Sequence, residues 1–281
     1  MARRSILVTG ANGYIGRNIV HRLWEAGYPV YGLVSQKAVD GQYIPVEAPD
    51  GLPGAPPPDL LAIAMVSGPS PSTDMDDSHP HADAVRRLVA WARHWEVPRL
   101  VYVSVLGATT DRTHPLRRVK ARAEQHVTDS KVGWTILRPS LVFGEESPLF
   151  RRLEAWATRP FVPVPRSMRV VQPLYVGDLA EAVVRVLSLP KTAGRAYEVA
   201  GPNPLTVREM LEHMGSDSVW WRRHLFHVHP RWEGRVVHWP WTEAEWRYLE
   251  AEPLVRDCRW MTDLGILPRT LTMFYAPYSN R

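Results

Sequence analysis

Residues 5–16 read S-I-L-V-T-G-A-N-G-Y-I-G, and this stretch decides the fold of the chain. The apolar run Ser5–Val8 predicts a short strand, and the spacing of apolar residues after the glycines predicts a helix that Gly27 closes. Pro29–Val34 predicts the next strand. A glycine turn between strand and helix is typical of a β-α-β unit that binds a dinucleotide, because the backbone must approach the pyrophosphate closely.

Strands and helices continue to alternate along the chain. Apolar runs predict strands at 60–66, 100–104 and 134–137, and amphipathic patterns predict helices at 82–95 and 116–130. Asp178 is predicted to cap the N-terminus of a further helix. This alternation predicts an α/β fold, a Rossmann-type doubly wound and mostly parallel sheet.

One crossover differs from that pattern. Nine prolines lie between Pro45 and Pro80, so no helix is expected between the third strand, near Tyr43–Val46, and the fourth. A proline-rich connection therefore replaces the usual crossover helix on the adenine side of the sheet.

The composition of the chain changes after Gly201. Seven of the twelve tryptophans lie in residues 220–260, which predicts a small mixed C-terminal lobe. These tryptophans fit either a docking surface for another protein or a core packed on the sheet. The predicted division is an NADP(H)-binding Rossmann domain at 1–200 and a docking or substrate lobe at 201–281. Some strands of the two parts can interleave.

Composition and charge exclude several classes of function. The net charge is +5, with sixteen bases against eight acids in residues 83–170, but no cluster of bases is interleaved with aromatics, so no nucleic-acid partner is expected. The single cysteine, Cys258, excludes an internal disulfide and a thiolate metal cluster. No apolar run is long enough to span a bilayer, and the predicted first strand leaves no room for a signal peptide, so a cytoplasmic location is expected.

The residues after the second predicted strand bear on coenzyme choice. An NAD site places an acid there to hold the ribose 2′-hydroxyl, but no acid occurs before Asp40. This favours a 2′-phosphate, and hence NADPH, with Ser35 and Lys37 as its contacts. The alternative is that both are ordinary loop residues.

Three motifs resemble the extended and atypical branch of the short-chain dehydrogenase/reductase superfamily. They are Thr9–Gly16, the R-P-x-x-x-x-G pattern of Arg138–Gly144, and Pro173–Asp178. Within that branch the chain is similar to the nucleotide-binding accessory subunits of respiratory complex I, on the segments 201–206, 241–243 and 263–271. The resemblance covers most of residues 5–210, and the motifs in the tail are degenerate.

The resemblance also implies a catalytic pair that this chain keeps only in part. The superfamily uses Y-x-x-x-K, in which the tyrosine protonates a carbonyl and the lysine holds the nicotinamide ribose. Lys120 fits the lysine and Ser104 fits the carbonyl-orienting serine, but Leu116 stands at the tyrosine position and has no proton to give. His114 is the nearest substitute by sequence, and its offset from that position points it elsewhere. Lys120 could otherwise be a solvated helix lysine.

These patterns together predict a site for NADPH without ordinary carbonyl-reductase chemistry. No metal site is predicted, because the histidines of residues 224–238 match no standard ligand spacing. The resemblance implies an accessory or assembly subunit of a large membrane-associated electron-transfer complex, with an anionic lipid surface as a further contact, on the inner face of the plasma membrane. The alternatives are a soluble NADPH-dependent reductase and a redox sensor. The predicted cofactor contacts are Gly10, Asn12, Gly13, Tyr14, Ile15, Gly16, Ser35, Lys37, Ser104, Lys120 and Pro139.

Overall fold

The computed structural model describes residues 4–34, 43–47, 52–66, 80–111, 114–165, 170–214, 224–228, 239–242, 245 and 254–276. The strands are β1 (Ser5–Thr9), β2 (Val30–Val34), β3 (Ile44–Glu47), β4 (Leu60–Met65), β5 (Arg99–Val103), β6 (Gly133–Pro139), β7 (Val142–Phe143), β8 (Phe161–Pro165), β9 (Leu174–Tyr175), β10 (Arg195–Val199) and β11 (His224–Val228). The helices are α1 (Tyr14–Glu25), α2 (His81–His94), α3 (Pro115–Thr128), α4 (Pro148–Ala157), α5 (Val176–Ser188), α6 (Val207–Met214), α7 (Arg259–Leu264) and α8 (Leu271–Tyr275), with a short 3-10 turn at Pro190–Thr192.

The described strands form one large parallel sheet and two small ones. Seven of them are ordered β10-β6-β5-β4-β1-β2-β3, and every neighbouring pair is parallel. One face of the sheet packs against α1, α5 and α7, and the other against α2 and α3. Because helices cover both faces, the strands are apolar almost throughout. The predicted doubly wound α/β fold is confirmed, and the pairs β8–β11 and β7–β9 lie outside the main sheet.

The connection between β3 and β4 is the irregular part of the sheet. Its described residues, 52–59, form turns and bends without a helix. Prolines lack the N–H that a helix needs, which accounts for the replaced crossover. Trp91 of α2 donates to the Pro53 carbonyl at 2.7 Å, so this connection is attached to the α2 side of the sheet.

The described tryptophans of the tail are packed inside the protein. Trp260 is buried in the core beside α1 and α5, and Trp241 is buried in a second core formed by α4, α6 and β8. Trp239 stacks on Trp241 with ring centroids 5.3 Å apart. These three residues therefore contribute to cores, and the other four tryptophans of 220–260 lie outside the described residues. The domain boundary at residue 200 stays a prediction.

The prediction for Asp178 is wrong. Helix α5 begins at Val176 with Tyr175 as its N-cap, and Asp178 lies inside the first turn. The Asp178 carboxylate accepts a hydrogen bond at 2.7 Å from the backbone N–H of Arg269. It therefore joins the end of the chain to α5, and burial raises its pKa. An acid in the first turn complements the helix dipole, as an acid at the N-cap does. Local sequence alone therefore does not show which of the two positions Asp178 occupies.

Candidate functional site

The glycine turn between β1 and α1 has the geometry expected of a phosphate-binding loop. Gly10 has φ of 68°, a left-handed conformation that favours glycine. The N–H of Gly13 donates to the Gly10 carbonyl at 3.0 Å, which closes the turn. A Cβ at Gly16 would overlap that carbonyl, so the close approach of α1 to the turn requires glycine there.

The N-terminus of α1 opens on this turn. Its N-cap is Gly13, which has no side chain to satisfy the first N–H groups of the helix, and the first turn carries no acid. Unsatisfied N–H groups and the positive end of the helix dipole attract a phosphate. The residues present therefore suit a dinucleotide pyrophosphate.

The remaining predicted residues of the turn lie around the same helix end. Asn12 is exposed, and Ile15 packs against the core of the sheet. The hydroxyl of Tyr14 lies beside the Ser147 side chain, and burial raises the pKa of that phenol. The structure thus brings Asn12, Tyr14 and Ile15 together with the glycines at one end of β1.

The adenine side holds a residue that sequence reasoning missed. Ser35 and Lys37 lie outside the described residues, so their predicted contact with a 2′-phosphate stays a prediction. Tyr43 lies over β2 on the α1 side, where a Cβ at Gly32 would overlap its ring. Its hydroxyl donates to Oδ1 of Asn12. The signal in the sequence was a glycine inside an apolar strand, which marks a close approach by other atoms.

Lys120 lies in a buried polar setting at the other half of the sheet. It is 5% exposed, and its Nζ donates to the Val103 carbonyl at 3.2 Å. The ammonium also lies 5.1 Å from the centre of the Tyr102 ring. Burial lowers the Lys120 pKa to about 8, against an opposing effect of Glu124. The structure therefore rejects the alternative of a solvated helix lysine.

Two separate polar pairs involve groups that interact with Lys120, namely Tyr102 and Glu124. The Tyr102 hydroxyl lies 3.0 Å from Nε2 of His81, the first residue of α2. Glu124 accepts three hydrogen bonds from Arg138, two from Nε at 3.0 and 3.2 Å and one from Nη2 at 2.6 Å. Arg138, which resembles the arginine of the R-P motif, thus balances a buried carboxylate one helical turn from Lys120.

No replacement for the missing proton donor is found at the tyrosine position. Leu116 occupies the turn of α3 before Lys120 and is partly buried. His114 is the N-cap of α3, outside the helix, and its pKa is lowered by burial and by Arg117. Neither residue supplies a proton donor at the tyrosine position.

Two serine hydroxyls stand at the carboxyl ends of adjacent strands. Ser104 follows β5 and Ser140 follows β6, and they are 2% and 3% exposed. Within the described part of the chain, neither hydroxyl has a hydrogen-bond partner. Pro139 ends β6, and its carbonyl accepts a hydrogen bond from Leu106 at 2.9 Å. Ser140 was not predicted, because a serine after an R-P pair has no distinctive spacing.

These features fit a nicotinamide dinucleotide. The glycine turn and the start of α1 suit the pyrophosphate. The carboxyl ends of β5 and β6 offer two buried hydroxyls for which the described residues supply no hydrogen-bond partner. Buried polar groups normally have partners, so unpaired ones at this edge suit a bound polar ligand. A bound nicotinamide would supply hydride transfer, and Lys120 with the two serines would hold it.

The described residues contain no group of histidine, cysteine and acid that could hold a metal ion. His224 and His227 lie on the small strand β11, where both are exposed. Among the described helices, none combines the length and apolar composition that crossing a bilayer requires.

The chain matches a known family over most of its length. The NAD dependent epimerase/dehydratase family matches residues 6–200, which confirms the resemblance to the extended short-chain dehydrogenase/reductase superfamily. The UDP-glucose 4-epimerase of Thermotoga maritima, solved with UDP-glucose, superposes with a TM-score of 0.72 over 97% of each chain at 16% identity. At that identity the likeness shows the fold alone.

Two curated relatives differ in what their names state. The mitochondrial NADH dehydrogenase [ubiquinone] 1 alpha subcomplex subunit 9 of Dictyostelium discoideum is 28% identical over 222 residues, and the match covers 73% of this chain and 61% of that protein. The (4-alkanoyl-5-oxo-2,5-dihydrofuran-3-yl)methyl phosphate reductase of Streptomyces griseus is 30% identical over 215 residues, covering 73% of this chain and 70% of that protein. The chain therefore spans about three fifths of the length of the first of these relatives.

Proposed function

Because the chain belongs to the NAD dependent epimerase/dehydratase family, we propose that it binds NADP(H) as an accessory or assembly subunit of a membrane-associated electron-transfer complex. One observation carries the proposal: the nucleotide-binding features are present while Leu116 replaces the proton donor beside Lys120. General acid catalysis needs a titratable group within hydrogen-bond reach of the carbonyl. A site with this composition holds a nucleotide without turning over ordinary carbonyl substrates.

The preference for NADPH rests on charge. The described residues of the glycine turn and β2 include no carboxylate that could hold a ribose 2′-hydroxyl, and Lys37 follows β2 in the sequence. A 2′-phosphate avoids repulsion there and gains from a nearby cation.

The relatives support the choice of complex. A relative is named as a subunit of mitochondrial NADH dehydrogenase, so respiratory complex I is the first candidate for the partner. We propose a peripheral position on the inner face of the plasma membrane for this chain, and the excess of bases in residues 83–170 supports contact with acidic protein or lipid surfaces.

We expect no appreciable NADPH oxidation with a panel of aldehydes, ketones and quinones. The reason is that Leu116 cannot donate a proton to the developing alkoxide. Leu116→Tyr is expected to create a trace of activity beside Lys120, and Leu116→Phe is the matched control because it adds the ring without the hydroxyl. The rate at which NADPH absorbance falls measures the activity of both variants. Rapid turnover by the unchanged protein would contradict the proposal.

Binding of NADPH is expected to weaken as the pH rises through about 8. Lys120 has a lowered pKa of about 8, so its ammonium is present below that pH and is lost above it. Only the charged form makes a charge-assisted hydrogen bond to a ribose hydroxyl. Calorimetric titration across this range measures the effect, and Lys120→Met should bind more weakly with no change through the same range. An affinity for NADPH that stays constant up to about pH 10 would show that the Lys120 ammonium does not contribute to binding.

A second candidate function is a soluble NADPH-dependent reductase that relies on the lysine without the tyrosine. The similarity to the Streptomyces griseus reductase favours it, since that relative is named for reducing a small phosphorylated substrate. The unpaired hydroxyls of Ser104 and Ser140 suit a substrate carbonyl as well as a carboxamide.

Affinity purification from gently solubilised membranes separates the two functions. The accessory-subunit proposal predicts that the protein is recovered with subunits of a large complex and with bound NADPH. If it elutes as a free small oligomer at low salt, with no partner, the soluble reductase becomes the better account.

A further inference from the structure

Tyr43 lies on the adenosine side of the site and contacts both β2 and the glycine turn. Its ring lies over Gly32 so closely that any side chain at position 32 would overlap it, and it packs against the core beside α1. The hydroxyl reaches Asn12, which lies between Gly10 and Gly13. The ring is therefore held by packing while its polar end meets the phosphate-binding loop.

The hydrogen bond from Tyr43 orients the side chain of Asn12. The phenol donates to Oδ1, so the amide oxygen of Asn12 faces Tyr43. The amide is planar, and its two N–H donors therefore point away from Tyr43 at a residue that is exposed. An amide fixed in this way presents donors, and no acceptor, to whatever binds at the turn.

The adenosine ribose of a bound dinucleotide would lie in this region. In β-α-β sites the pyrophosphate lies at the glycine turn and the ribose hydroxyls face the end of the second strand. Asn12 belongs to the turn and Gly32 to the second strand. Because Tyr43 contacts both residues, it lies beside the space that the ribose would occupy. Donors directed there suit an anionic 2′-phosphate, which accepts hydrogen bonds only.

We propose that Tyr43 is a positioning residue for coenzyme selection, which turns the donors of Asn12 toward the 2′-substituent and so favours the 2′-phosphate. This inference rests on the proposed NADP(H) binding. It assigns selectivity to the residue that directly precedes β3 and whose hydroxyl reaches the glycine turn.

The first test compares nucleotide affinities of Tyr43→Phe by calorimetry. The variant keeps the ring over Gly32 and loses only the hydroxyl that orients Asn12. We expect NADPH to bind roughly tenfold more weakly, with NADH changed less than about twofold. Tyr31→Phe is the matched control, because Tyr31 lies on the same strand pair but faces the opposite core, and both affinities should stay unchanged.

The second test is Asn12→Asp, at an exposed position that tolerates the change. The carboxylate still accepts from Tyr43 but now presents negative charge to the 2′-substituent. We expect the affinity for NADPH to fall about a hundredfold while NADH binds equally well or better. If Tyr43→Phe fails to fold, an unchanged ratio in Asn12→Asp still overturns the proposal, because position 12 would then not face the 2′-substituent.

The outcomes separate the two proposals. If the unchanged protein binds neither nucleotide, the proposed NADP(H) function fails. If it binds NADPH and either variant keeps the original ratio of NADPH to NADH affinity, the role of Tyr43 is overturned while the binding function stands.

Discussion

Gly16→Ala is expected to abolish nucleotide binding, with a loss of at least about a hundredfold in NADPH affinity. The added Cβ would overlap the Gly10 carbonyl, so α1 must move away from the turn. The N–H groups at the start of α1 then no longer face the pyrophosphate. Overpacking of this kind also costs roughly 1–3 kcal/mol of stability, so Tm should fall by several degrees. Calorimetric titration and thermal unfolding measure the two effects.

Gly54→Ala is the matched control for that substitution. A Cβ at Gly54 meets nothing within 4 Å, and the residue lies on the exposed connection before β4. Its affinity and Tm should equal those of the unchanged protein. Normal NADPH binding by Gly16→Ala would show that the close approach of α1 to the turn is not needed for the site.

Arg138→Met is expected to destabilise the protein by about 3 kcal/mol, or roughly 10 °C in Tm. Its guanidinium makes a bidentate contact with Glu124, whose side chain is only 8% exposed. Without Arg138 the carboxylate remains buried, and the bidentate contact that compensates its charge is lost. Breaking a buried pair by removing one partner leaves an uncompensated charge, which is the costly case. Thermal or urea unfolding measures the loss.

The double variant Glu124→Met with Arg138→Met isolates this cause. Removing both charges together should restore most of the stability, because two apolar side chains replace a pair whose desolvation offsets its attraction. In Arg138→Met alone the stronger influence of Glu124 on Lys120 should also move the pH midpoint of NADPH binding upward. A double variant as unstable as the single one would show that Arg138 acts through packing and not through its charge.

The sequence predicted the parts of this protein that depend on neighbouring residues. The glycine turn at 10–16, the strands β1 to β6 and the helices α1, α2 and α3 follow from local periodicity and from glycine and proline chemistry, which act within a few residues. The edge strand β10 was not predicted. The resemblance to the superfamily's Y-x-x-x-K pair indicated Lys120 and the loss of the tyrosine at Leu116, and both residues lie on one helix.

The tertiary structure alone decided which distant residues meet. Tyr43 reaches Asn12 across thirty-one positions, Glu124 meets Arg138 from a different element, and Asp178 binds the backbone of Arg269 ninety-one positions away. Ser140 became a candidate contact only because β6 ends beside β5, where its hydroxyl is buried without a described partner. Such pairs depend on strand order and on how elements pack, and neither leaves a periodic signal in the chain, because a contact between separate elements fixes no spacing in the sequence.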